Sequence, residues 1–182
     1  MSPSVFTDLA QNTPTQVIDY LGLSISIKRL DLIHPHISGN KFFKLKYNIE
    51  YAMQHGDQQI LTFGGAYSNH IAATAFAAHE FGLNSVGIIR GLELQSKPLN
   101  LTLQTAKNFG MQLEFISREQ YRHKQNAEYL NELKQRYPKA YIVPEGGTNA
   151  LAIQGCREIL TPQDQNFDLI CCAVGTCGTI TG

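Results

Sequence analysis

The stretch that decides the fold runs from residue 59 to residue 89 and reads QILTFGGAYSNHIAATAFAAHEFGLNSVGII. It opens with a short apolar run, Gln59–Phe63, passes through two glycines into a helical stretch, Ser68–Phe81, and closes with a second apolar run, Ser85–Ile89. Because a helix separates the two predicted strands, the strands are expected to pair in parallel, with the helix covering one face of the sheet. This unit predicts an α/β fold.

The same alternation continues toward the end of the chain. Three further apolar runs predict strands, at Gln112–Ile116, Ala140–Val143 and Asp168–Val174. Three further stretches predict helices, at Pro98–Phe109, Arg118–Arg136 and Asn149–Leu160. The chain is therefore expected to form parallel twisted sheets with flanking helices.

Two more elements are predicted ahead of this region. Leu23–Leu30 alternates apolar and polar residues, which is typical of a half-exposed strand. Asn40–His55 has helical character, and Ser38 is placed to cap the start of that helix.

Composition excludes several classes of function. The 182 residues are 43% hydrophobic and 16% charged, and 15 basic side chains balance 15 acidic ones. A chain without net charge has no long-range attraction to nucleic acid or to an anionic membrane. Residues 1–8 show neither the basic nor the apolar region of a signal peptide, and no apolar stretch is long enough to span a bilayer. We expect a cytoplasmic protein with neither nucleic acid nor membrane as a partner.

The cysteines give no sign of a metal site. All four, Cys156, Cys171, Cys172 and Cys177, lie in the last quarter of the chain. They form no Cys-x-x-Cys pair with matching histidines, so neither zinc nor a disulfide framework is predicted. Cys171 and Cys172 fall in an apolar run, where a reduced thiol usually behaves as a small buried hydrophobe.

The first of three segments that combine glycine with reactive residues is Ser38–Tyr47. On a helix, Lys41 and Lys44 project from one face, beside the turn that Gly39 permits. One lysine could bond covalently while its neighbour holds an anion. The alternative is an exposed basic face on an amphipathic helix.

The second segment, Thr62–His70, runs from a buried strand through two glycines to a helix start at Ser68 and Asn69. Free backbone N–H groups at a helix start favour an anion such as a carboxylate. Alternatively, Ser68 is only an N-cap and the two glycines only form a turn. Taken alone, His70 is better interpreted as a packing histidine than as a general base.

The third segment, Ala173–Gly182, leads from a predicted strand into a loop of glycines and hydroxyl residues. Such loops bind phosphate through backbone N–H groups and threonine hydroxyls. The patterns of a Walker loop, a dinucleotide-binding loop and a hydrolase elbow are all absent. Together the three segments supply an amine, phosphate donors and a polar partner for a ring hydroxyl, which a pyridoxal phosphate enzyme needs.

With Pro144–Asn149 added, the order and spacing of these motifs resemble the 1-aminocyclopropane-1-carboxylate deaminase and D-cysteine desulfhydrase family. Members of that family are pyridoxal phosphate enzymes of fold type II, with a fold like that of the tryptophan synthase β subunit. The resemblance implies that the substrate is a small amino acid. The products would be a 2-oxo acid and ammonia, and relatives are commonly homodimers.

The resemblance also implies roles for individual residues. Lys41 is expected to form a Schiff base with pyridoxal 5'-phosphate and to shuttle the proton, and Ser68 is the second expected catalytic residue. Asn69 is expected to bond the ring hydroxyl of the cofactor. The cofactor phosphate is expected to be held by Lys44, Gly175, Thr176, Cys177, Gly178 and Thr179. The substrate carboxylate is expected on the backbone of Ser68, Asn69 and His70.

Domain organisation follows from the same resemblance. Residues 55–146 are expected to form a small α/β domain, and residues 1–54 with 147–182 part of a larger cofactor-binding domain. Family members are longer, so the chain is expected to be truncated at its C-terminus and to lack the partner of the pyridine nitrogen. Two alternatives remain at this point: a catalytically inactive N-terminal fragment of such an enzyme, and a module that binds a phosphate ligand or a nucleotide.

Overall fold

The structure is a computed structural model that describes Phe6 and residues 13–182. Its first elements form an antiparallel hairpin, β1 (Thr15–Tyr20) and β2 (Leu23–Lys28), in which Ile18 is paired with Ile25. The half-exposed strand predicted near residue 23 is thereby confirmed, whereas its partner β1 was not predicted.

Helix α1 (Asn40–Gln54) follows the hairpin and starts differently from the prediction. Its N-cap is Gly39, with φ of 66° and no side-chain cap, so the expected role of Ser38 is wrong. The backbone N–H of Gly39 donates instead to the carbonyl of Leu30, at 2.8 Å. Because a side chain is strained at this φ, glycine suits the turn that leads into the helix.

A four-stranded parallel sheet forms the centre of the α/β region. Its strands are β3 (Gln59–Gly65), β4 (Asn84–Arg90), β5 (Gln112–Ile116) and β6 (Ala140–Val143), in the order β5-β4-β3-β6. All pairs are parallel, so the carboxyl ends of the strands share one edge of the sheet. The predicted parallel sheet with flanking helices is confirmed.

Four short 3-10 helices lie between the other elements, at Leu30–Leu32, Leu92–Leu94, Glu145–Gly147 and Pro162–Asn166. Six more α-helices follow α1 in residues 13–182. They are α2 (Asn69–Glu80), α3 (Leu101–Asn108), α4 (Arg118–Arg122), α5 (Ala127–Arg136), α6 (Ala150–Cys156) and α7 (Gly178–Thr181). The single helix predicted over residues 118–136 is wrong, because the side chain of Asn126 caps a new helix by accepting from the backbone N–H of Glu128. Asn100 likewise caps α3, which leaves Pro98 outside the helix.

The strand predicted over residues 168–174 is also wrong. This segment pairs with no strand among the described residues, and its apolar side chains are open to solvent, with Leu169 79% and Ile170 51% exposed. Cys171 and Cys172 are exposed rather than buried. Hydrophobicity predicts burial only where another element covers the segment, and no described element does so here.

Both faces of the sheet carry packed side chains. Ile60 and Val143 contribute to a cluster with α1 and α2, whereas Leu61 and Phe63 pack toward Tyr121 and Leu133 on the opposite face. Alternation along β3 therefore places helices on both sides of the sheet. No helix in the described part of the chain is long and apolar enough to cross a membrane.

Helices α1 and α6 meet at a glycine. A Cβ added to Gly155 would lie 2.0 Å from the backbone oxygen of Phe43 and 3.5 Å from the ring of Tyr47. This close approach fixes α6 against α1, the helix that carries Lys41 and Lys44.

Candidate active site

Two lysines of α1 converge on one backbone oxygen. Lys41 Nζ and Lys44 Nζ each donate a hydrogen bond to the carbonyl of Gly146, at 3.2 Å. Gly146 has φ of 67° and lies in the turn after β6. The helical spacing predicted from the sequence thus places both amines at one point, and a turn more than a hundred residues away supplies the acceptor.

Two threonine hydroxyls complete the surroundings of Lys44. Its Nζ donates to Thr148 Oγ1 at 3.0 Å and to Thr176 Oγ1 at 3.3 Å, and the two hydroxyls lie 2.5 Å apart. A Cβ on Gly178 would lie 2.9 Å from Lys44 Nζ and 2.8 Å from Thr148. The space beside the amine therefore exists because residue 178 has no side chain.

The glycine and hydroxyl loop lies along the same cavity. The cavity has a volume of about 180 Å³ and lies between α1 and residues 173–180. Its lining comprises Asn40, Lys41, Lys44, Gly146, residues 173–177, Thr179 and Ile180. The side-chain amide of Asn40 donates to Thr179 Oγ1 at 2.6 Å, which ties the loop to the start of α1. Cys177 has an exposed thiol and φ of 61°.

The electrostatic surroundings of Lys41 and Lys44 favour a reactive amine at Lys41. Burial, together with the positive charge of Lys44, lowers the pKa of Lys41 to about 8. Burial also lowers the pKa of Lys44. Because only the neutral amine is a nucleophile, a pKa near 8 leaves a useful fraction of Lys41 reactive close to neutral pH.

Ser68 and Asn69 lie at the start of α2 and do not line this cavity. Ser68 is the N-cap residue, but its side chain makes no capping bond, and its backbone N–H donates to the carbonyl of Gly65 at 3.0 Å. The backbone N–H groups of Asn69 and His70 have no acceptor in the described chain. The donors available to an anion here are therefore those of Asn69 and His70.

The side chain of His70 belongs to the core. It is 1% exposed, and its Nε2 lies 2.8 Å from Thr62 Oγ1, which itself donates to the carbonyl of Val143. The hydroxyl of Thr62 therefore accepts from Nε2. Burial, with smaller contributions from the positive charges of Lys41 and Lys44, lowers the pKa of His70 to about 3. The imidazole is neutral in the folded chain and acts as a packing and hydrogen-bonding group.

This buried histidine makes stability depend on pH. Between about pH 6.5 and pH 3 the unfolded chain protonates His70 and the folded chain does not, so the free energy of unfolding falls as pH falls. From pH 7 to pH 5 we expect a loss of about 2 kcal/mol from this residue. Urea unfolding at the two pH values measures it.

A His70→Gln variant isolates that contribution. The variant should be less stable at both pH values but should lose the part of the pH dependence that His70 causes. His123→Gln, a change at an exposed histidine, serves as the control. An unchanged pH dependence in His70→Gln would show that another group causes the acid loss.

Several site residues, Asn40, Gly146 and Thr148 among them, were missed by reasoning from the sequence. The carbonyl of Gly146 accepts from both lysines, and the hydroxyl of Thr148 accepts from Lys44. Both lie in the Pro144–Asn149 motif, which carried the family resemblance but received no role. The available signal was the paired glycine turn directly after a strand, at the edge where ligands of α/β proteins commonly bind.

Comparison with known proteins identifies similar chains. The family model described as "Pyridoxal-phosphate dependent enzyme" matches residues 7–182. A putative 1-aminocyclopropane-1-carboxylate deaminase from Thermotoga maritima is 36% identical, across 93% of this chain and 57% of the relative. A bifunctional D-cysteine desulfhydrase/1-aminocyclopropane-1-carboxylate deaminase from Arabidopsis thaliana is 34% identical, across 88% of this chain and 44% of the relative.

A solved structure with a related name is also similar to this chain. The crystal structure of an ACC deaminase homologue superimposes with a TM-score of 0.76 and 28% identity, across 99% of this chain and 60% of that one. The chain thus spans about half the length of the curated relatives that it matches.

Proposed function

Because the chain belongs to the pyridoxal-phosphate dependent enzyme family, we propose that Lys41 holds pyridoxal 5'-phosphate covalently through Nζ. We propose as the reaction a deamination or elimination of a small amino acid that gives a 2-oxo acid and ammonia. The names of the relatives favour 1-aminocyclopropane-1-carboxylate or D-cysteine as the type of substrate.

One observation carries this proposal: Lys41 and Lys44 share the carbonyl of Gly146, beside a loop of glycines and threonines. The donor set fits the cofactor. Lys41 provides the nucleophilic amine, while Lys44 provides a cationic donor flanked by the hydroxyls of Thr148 and Thr176. Residues Gly175, Thr176, Cys177, Gly178 and Thr179 are the proposed phosphate loop, and the missing side chain of Gly178 leaves space beside Lys44.

When bound, the cofactor supplies an electron sink for the carbon that loses its proton. Once the substrate amine has taken its place on the cofactor and set it free, Lys41 Nζ is the proposed base at that carbon, because burial and its cationic neighbour hold the pKa of the free amine at about 8. Lys44 keeps three acceptors and so stays in place while Lys41 moves. Within this proposal Lys41 moves the proton, and Lys44 holds the phosphate of the cofactor.

The start of α2 is the proposed site for the substrate carboxylate. The free backbone N–H groups of Asn69 and His70 support this role, together with the favourable end of the helix dipole. Ser68 is proposed as the second catalytic side chain, since its hydroxyl is not used for capping. Asn69, which is exposed, is proposed to bond the ring hydroxyl of the cofactor.

We further propose that residues 55–146 form a small domain and that residues 1–54 and 147–182 belong to a larger one. In support, all four strands of the parallel sheet lie within residues 59–143. The proposed phosphate loop and the lysine helix lie outside that range and pack near each other through Asn40 and Thr179.

The test is covalent labelling of the purified chain. Pyridoxal 5'-phosphate is added, the absorption spectrum is recorded, and borohydride then makes any lysine linkage permanent for peptide mapping. We expect the label on Lys41, together with ammonia and a 2-oxo acid when 1-aminocyclopropane-1-carboxylate or D-cysteine is supplied. A label spread over exposed lysines such as Lys97 would contradict the assignment.

The labelling test also distinguishes the catalytic proposal from an alternative, in which the chain binds the cofactor on Lys41 but does not convert a substrate. That alternative is favoured by one observation: Ala173 and Val174, which line the cavity, belong to the exposed segment that pairs with no described strand. Labelling of Lys41 without product from either amino acid would support it over the catalytic proposal.

A further inference from the structure

The turn after β6 is held from both sides. On one side the carbonyl of Gly146 accepts from Lys41 and Lys44. On the other side the carboxylate of the preceding residue, Glu145, accepts a hydrogen bond of 2.7 Å from the hydroxyl of Tyr121. Lys124 Nζ lies 3.3 Å from the second oxygen of the same carboxylate. One turn thus links Tyr121 of α4, and Lys124 two residues beyond the end of that helix, to the lysine pair.

Tyr121 is a rigid anchor for this link. Its side chain is 3% exposed and packs edge-on against Phe63, with ring centroids 6.4 Å apart. Lys124 Nζ also lies 4.8 Å from the centre of the Tyr121 ring. Burial and the hydrogen bond to Glu145 raise the pKa of the hydroxyl, so it remains a donor at all physiological pH values.

The turn itself has little freedom to adjust. Gly146 and Gly147 both have positive φ, at 67° and 74°. A Cβ on Gly146 would lie 3.0 Å from Thr176, and one on Gly147 would lie 3.1 Å from the ring of His70. Because the backbone fits closely on these sides, the side chain of Glu145 is the contact through which α4 can hold the turn in place.

We propose that Tyr121 and Glu145 are positioning residues that fix the turn carrying the Gly146 carbonyl and thereby place the amines of Lys41 and Lys44. The importance of that placement for catalysis rests on the proposed function. Neither residue lines the cavity, so both act through the turn rather than by contact with a ligand.

The experiment measures how readily Lys41 gives up its proton, without any cofactor. The chain is acetylated competitively with acetic anhydride between about pH 6 and pH 10, and the modification of Lys41 is followed by mass spectrometry. In the unaltered chain the midpoint should lie at about 8. In Tyr121→Phe the loosened turn admits water to the amine, and the midpoint should rise by roughly one unit, a tenfold change in proton affinity.

Tyr129→Phe is the matched control. Tyr129 packs against the same apolar cluster as Tyr121, and its hydroxyl makes no hydrogen bond in the described part of the chain. Its replacement should leave the midpoint unchanged. Glu145→Gln keeps an acceptor for Tyr121 but loses the attraction to Lys124, so a smaller rise is expected.

A double variant tests the route of the effect. If Tyr121 acts through Glu145, Tyr121→Phe in a Glu145→Ala chain, which has already lost the acceptor for Tyr121, should shift the midpoint no further than Glu145→Ala alone. Equal shifts in Tyr121→Phe and Tyr129→Phe, no shift in Tyr121→Phe, or a downward shift would each overturn the proposal. Because the readout needs no cofactor, an unlabelled Lys41 in the borohydride test would refute the proposed function and leave this result standing.

Discussion

A Lys41→Ala variant is expected to lose borohydride-stable labelling in the peptide around residue 41 and to slow release of the 2-oxo acid by roughly 100-fold or more. The variant removes both the amine proposed to hold the cofactor and the proposed base. Lys44 cannot take over, because its amine is held by Thr148 and Thr176 and its α1 position differs by nearly a full turn. Mass spectrometry after reduction measures the first effect, and an assay of the 2-oxo acid measures the second.

Two companion variants sharpen this experiment. Lys41→Arg keeps the positive charge but offers no nucleophilic amine near neutral pH, so it should also remain unlabelled. Lys107→Ala removes an exposed lysine of α3 and should leave labelling of Lys41 intact. Full labelling of another single lysine in Lys41→Ala would transfer the proposed role to that residue.

Gly155→Ala is expected to destabilise the fold by roughly 3 kcal/mol. Alanine is the better helix former, so helix propensity alone predicts a gain of about 1 kcal/mol. Steric overlap outweighs that gain, because the new Cβ would lie 2.0 Å from the backbone oxygen of Phe43. Backbone cannot move aside as a flexible side chain can, and α6 would have to shift away from α1.

Gly175→Ala is the matched control for this glycine. Nothing lies within 4 Å of a Cβ at Gly175, and its φ is not positive. Urea unfolding of the two variants beside the unaltered chain should therefore show a large loss for Gly155→Ala and little change for Gly175→Ala. Equal stability of all three chains would show that α1 and α6 are less tightly packed than the structure has them.

The parts of the fold that were predictable depend on local pattern. The four strands of the parallel sheet have apolar runs bounded by turn residues, and each appears where its run predicts. The segment 168–174 has the same pattern yet stays unpaired, since pairing depends on a partner strand that local pattern does not reveal. The break in the helix at Asn126 likewise reflects a capping bond, which competes with helix continuation.

The candidate site likewise has features that local sequence predicts and features that it does not. The spacing of Lys41 and Lys44 predicts that the two amines project together, and helical geometry brings them to one acceptor. That this acceptor is the carbonyl of Gly146 could not be read from the sequence, because the contact joins residues far apart in the chain. The hydroxyl of Thr148 was missed for the same reason.

Because two lysines share the carbonyl of Gly146, the amine of Lys41 can leave it at little cost. A carbonyl that loses its only donor in a poorly solvated place costs about 1–3 kcal/mol. Here the acceptor has two donors, so Lys41 can swing away while Lys44 keeps the oxygen satisfied. The departure of Lys41 also separates two like charges in a poorly solvated place. Lys41, the lysine that we propose moves, is therefore the one whose movement leaves the Gly146 carbonyl with a donor.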